Sequence, residues 1–88
     1  LSYEEIKKFS VYGTVIGSDQ LVRLDEVSVI ADPETIKSLG EFFIKASHEI
    51  SKDKLEHVHL QDFIECFSEK KHVDIILLNK KLVLRGKG

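Results

Sequence analysis

The chain has one cysteine, one proline, no tryptophan and no methionine among its 88 residues. With Cys66 alone, no intrachain disulfide can form and no cysteine-based zinc cage can be assembled within the chain. No apolar run approaches the roughly 20 residues needed to cross a bilayer. No basic segment followed by an apolar stretch opens the sequence either, so a cytoplasmic protein with no membrane partner is the expectation. A Gly-rich phosphate loop is missing, and Asp32 occupies the helix start that an anion would need. Pro-rich, Gly/Ser-rich and repeated segments are absent as well. Residues 1–88 therefore read as a single domain with one modest core.

A strong excess of charge of one sign is also lacking. The net charge is −2, with four basic and eight acidic side chains in residues 1–44 and nine basic and seven acidic in residues 45–88. No basic stripe interleaved with aromatics results. Lys70-Lys71 and Lys80-Lys81 sit near turns beside acidic neighbours, so no nucleic-acid partner is expected. Asp19, Asp25, Glu26, Asp32 and Glu34 could oppose a basic partner, but a solvated face is the use favoured for them.

What the chain does contain is aliphatic and aromatic material in readable periods. Ser2-x-x-Glu5 has the form of a capping box before a short helical turn. Ser10 to Ile16 is β-branched and aromatic and ends in the turn chemistry of Gly17-Ser18-Asp19, which gives a first strand. Leu24 to Ala31 reads as a second strand, antiparallel to the first. Asp32-Pro33-Glu34 starts a helix: an N-cap acceptor, a proline whose missing N–H costs nothing there, and an acid at the positive end of the dipole. Ile36, Leu39, Phe43, Ala46 and Ile50 recur at spacings of three and four with Phe42 flanking, and Ser51 to Lys54 ends the helix. Gly40, unfavourable inside a helix, suggests close approach to a sheet.

Leu55 to Gln61 gives a third strand, and Val73 to Leu78 a fourth that is apolar on both faces and so belongs at a sheet centre. Asn79-Lys80-Lys81 turns the chain into a closing strand, Leu82 to Leu84, ahead of a frayed tail. Asp62 to His72 is a loop or short helical turn in which Phe63 and Phe67 are spaced to share a side. The expected fold is α+β: a two-layer sandwich of one main helix on a mostly antiparallel sheet of four to five strands, ordered β-β-α-β-β with the extra strand at the C-terminus. One helix covers only part of such a sheet. A second copy in a homodimer, or another protein, would cover the rest.

The stretch His57-Val58-His59-Leu60-Gln61-Asp62 carries the most chemistry. Alternation places Val58 and Leu60 toward the core and Leu55, His57, His59 and Gln61 away from it. Two imidazoles at i and i+2 could approach one metal ion, with His72 or Asp62 as a third ligand, yet nothing in the sequence identifies a complete set. No metal site and no cofactor are therefore expected. Cys66 paired with a histidine would be a nucleophile. Its neighbours Phe63, Ile64 and Phe67 instead suit a small buried hydrophobe, so catalysis is not expected. Asp62 fits a turn cap.

Leu24 to Thr35, the helix through Phe42-Phe43, His57-Val58-His59-Leu60-Gln61-Asp62 and Asp74-Ile75-Ile76-Leu77 together resemble a small family of predicted immunity proteins of bacterial polymorphic toxin systems. The resemblance spans roughly residues 11–79. Similar proteins carry aromatic residues, often tryptophan, after the His-containing strand; here Phe63 and Phe67 stand there. The resemblance implies a non-enzymatic protein that binds and neutralises a cognate protein toxin. His57, His59, Gln61, Asp62, Phe63 and Phe67 would form the contact, as polar groups that set register and aromatic anchors that can be desolvated. The alternatives are a small metal-binding or catalytic domain that uses His57 and His59, and a homodimeric domain.

Overall fold

The computed structural model describes residues 3–83, and the chain divides between Ile30 and Ala31 into two compact units. The first holds a 3₁₀ turn, Glu4–Lys7, and two short strands, β1 (Val11–Gly13) and β2 (Val22–Leu24). They pair antiparallel, with Val11 opposite Leu24 and Gly13 opposite Val22. Between them Ser18 N–H donates to the Val15 carbonyl at 2.9 Å, closing a turn whose third residue, Gly17, has φ +89°. That is the position where a type II turn needs the left-handed region, which glycine enters without steric cost. The second strand thus lies earlier than the expected Leu24 to Ala31. β-Branched content alone could not place it, because pairing with β1 decides which residues are strand. None of the described residues up to Ile30 is buried.

The second unit is built on α1 (Pro33–Asp53). Its start is the expected one: Asp32 is the N-cap, Pro33 opens the helix, and Ile36 N–H donates to the Asp32 carbonyl at 3.0 Å. The Asp32 carboxylate makes no capping hydrogen bond, so its contribution there is limited to the dipole. The helix stops at Lys54, whose φ of 53° puts a non-glycine residue in the left-handed C-cap conformation. Beyond it come β3 (His57–His59), a 3₁₀ turn (Leu60–Phe63), β4 (Ile76–Leu78) and a short α2 (Lys80–Val83).

Phe42, Ala46 and Val58 form the buried centre, and Ile50, Leu60, Ile75 and Leu77 pack against it. The helix therefore turns Phe42 inward, while Phe43 and Ile36 stay about half exposed. Two adjacent phenylalanines satisfy the same 3.6 period, and the position of β3 selects between them. Gly40 does not approach a sheet: a Cβ built there meets nothing within 4 Å.

The fold is α+β with one main helix, but its strands form two separate two-stranded antiparallel sheets. The expected closing strand is replaced over Lys80–Val83 by α2, and Leu84 lies outside the described residues, as do Ser2 of the capping box and the C-terminal tail. Asn79 explains the change. Its Oδ1 accepts from Lys81 N–H at 3.0 Å and its carbonyl accepts from Leu82 and Val83 N–H. A side chain that caps a helical turn has replaced a hairpin turn.

Candidate functional site

β3 and β4 are antiparallel, with His57 opposite Leu78, Val58 opposite Leu77 and His59 opposite Ile76. Just beyond the ladder Leu60 N–H donates to the Ile75 carbonyl at 2.8 Å, and Asn79 N–H to the Glu56 carbonyl at 2.7 Å. Antiparallel pairs alternate, so His57/Leu78 and His59/Ile76 are the non-hydrogen-bonded pairs, whose side chains stand closest across the ladder. Val58 and Leu77 face the core. The opposite face consequently carries His57, His59, Ile76 and Leu78 as one patch, with Ile76 46% and Leu78 58% exposed. β4 is thus apolar on both faces, as its sequence suggests, without being central in a larger sheet.

The histidines are held in different ways. The ring centroids of His57 and His59 lie 5.1 Å apart, edge to face. His57 is exposed, and its Nδ1 is 4.0 Å from Glu56 Oε1. His59 is half-buried, and its Nδ1 lies 2.7 Å from Asp74 Oδ2. The other carboxylate oxygen of Asp74 accepts from Gln61 N–H at 2.9 Å. An ionised carboxylate only accepts, so Nδ1 of His59 carries the proton and donates. In the neutral ring the lone pair then sits on Nε2.

Asp74 is the residue that sequence reasoning missed. It stands in the segment that carries the family resemblance, but its role depends on a cross-strand register that one strand alone does not reveal. The same carboxylate helps end β3. With Gln61 N–H turned to Asp74 and Ile64 N–H to the Gln61 carbonyl, Leu60–Phe63 becomes a 3₁₀ turn. The expected strand to Gln61 is cut short at His59, and Gln61 reaches His59 through its main chain and Asp74.

The remaining expected contact residues sit elsewhere on this unit. Asp62 is exposed in the 3₁₀ turn. Phe63 packs edge-on to Phe42, with ring centroids 5.4 Å apart, and Lys45 Nζ lies 5.0 Å from its ring centre. Phe67 meets His72 at 5.6 Å instead. His72 Nδ1 accepts from Ser68 N–H, which ties that ring into the 68–72 turn. Cys66 is exposed and has φ 55°, contrary to the buried role its neighbours suggest.

Among the described residues no three or more His, Cys, Asp or Glu side chains converge as a metal-ligand group. No described helix is long and apolar enough to cross a membrane. In the first unit a groove of about 370 Å³ is lined by residues including Phe9, Arg23, Leu24 and Val27. No family model, curated protein or solved structure matches the chain.

Proposed function

We propose that this chain is a non-enzymatic immunity protein that binds a cognate bacterial toxin in the cytoplasm of the cell that makes both. The observation that carries the reading is the outward face of β3 and β4, where half-exposed Ile76 and Leu78 alternate across the ladder with His57 and His59. Aliphatic side chains flanked by polar groups of fixed orientation are what a desolvated contact with a polar rim requires. Asp74 fixes the orientation of His59, so part of that surface is ordered before any partner arrives, and the entropic cost of binding falls accordingly. The family resemblance supplies the identity of the partner as a protein toxin. Phe63, 39% exposed, packs against Phe42 of the core.

The test is growth protection. The chain is co-expressed with the product of its adjacent gene in a host which that product arrests. Rescue with a stable complex on co-purification is expected. Arrest with no complex contradicts the proposal.

A further inference from the structure

We infer that His57 and His59 form a two-histidine site for a borderline divalent transition ion such as Zn²⁺, with Asp74 as the positioning residue. Three observations meet at this point. First, both rings occupy one face of β3, at i and i+2. Second, the two rings are direct neighbours, with centroids 5.1 Å apart.

Third, the Nδ1–H···Asp74 bond at 2.7 Å leaves the Nε2 lone pair as the ligand atom of His59. A carboxylate behind a histidine fixes its ring, the usual outer partner of a metal-bound imidazole. Asp74 is itself held by Gln61 N–H at 2.9 Å. His57 is exposed, with Nδ1 4.0 Å from Glu56 Oε1 and its ring against that of His59, so a turn of its ring would bring a nitrogen to the same ion. Nitrogen donors select zinc, copper or nickel over magnesium and calcium, which take oxygen. Two protein ligands leave coordination positions for water or for a donor from a bound protein. The site is independent of the toxin-binding proposal, because it rests on geometry within this chain.

The experiment is calorimetric titration of the full chain with ZnCl₂, alongside imidazole chemical shifts of the four histidines. One zinc per chain is expected, with shifts at His57 and His59. His57→Ala, an exposed substitution that leaves the core untouched, and His59→Ala should each weaken binding at least tenfold. Asp74→Asn should weaken it roughly 10- to 100-fold. His72→Ala should leave binding unchanged, since that ring is engaged by Ser68. Absence of heat and shifts in the wild-type chain, or full affinity in the folded His57→Ala protein, overturns the site. Full affinity in Asp74→Asn overturns the positioning role.

Discussion

The two units use similar strand material to different ends. β1–β2 and β3–β4 are both antiparallel pairs of three residues a strand, yet only the second pair has one face in a core. In the first unit Val15, Ile16, Val27 and Ile30 are all more than half exposed. In the second, Val58 is 7% exposed and Leu77 packs beside it. The difference is α1. A two-stranded ladder is marginal in water unless a helix or further strands cover one face. Phe42 and Ala46 cover β3 because they recur at helical spacing on the side that meets it. Covering one face of β3–β4 also decides what is left outside: the alternation that buries Val58 displays His57 and His59.

The largest expected way to break this contrast is Phe42→Ala. Truncating a buried phenylalanine costs about 3–5 kcal/mol in ordinary cores. In a centre of three buried residues the second unit should lose its cooperative transition in chemical denaturation. Tyr12→Ala in the first unit, at an exposed strand position, should change stability by less than about 0.5 kcal/mol. Similar losses from the two substitutions would remove the contrast. Gly40→Ala sharpens it in the other direction. The site is open and helical, so the added methyl should stabilise the chain by about 1 kcal/mol, read as a higher denaturation midpoint. The smallest effect belongs to Asp32→Ala. A working N-cap side chain contributes about 1 kcal/mol. Without that hydrogen bond, only a few tenths from the helix dipole should disappear, and these should shrink with added salt.

The sequence was most legible where one local rule acted without competition. Asp32-Pro33-Glu34 marked the start of α1, and strict alternation placed Val58 inside and His57 outside. It was least legible where the outcome depends on a distant partner. Whether Phe42 or Phe43 enters the core depends on where β3 lies. The strand segment in residues 22–31 depends on register with β1. Asn79 could serve a hairpin turn or a helix cap equally well, and it caps: its Oδ1 accepts from Lys81 N–H and its carbonyl from Leu82 and Val83 N–H. The candidate site follows the same pattern. Its histidines were visible as a period-two pattern, whereas Asp74, fifteen residues beyond His59 in sequence, enters only through the pairing of β3 with β4. Gln61 and Phe67 departed from the expected strand-side grouping because the chain turns immediately after His59.

Charge placed on the outward face of β3–β4 tests most directly whether that face is the proposed toxin-binding surface. Ile76→Asp and Leu78→Asp change half-exposed side chains on the side away from Phe42 and Val58, so an unchanged melting transition checks that the fold survives. Calorimetric affinity for the adjacent-gene product should then fall by about 30-fold or more, the loss typical of a central interface residue. Wild-type affinity in both folded variants would contradict the account.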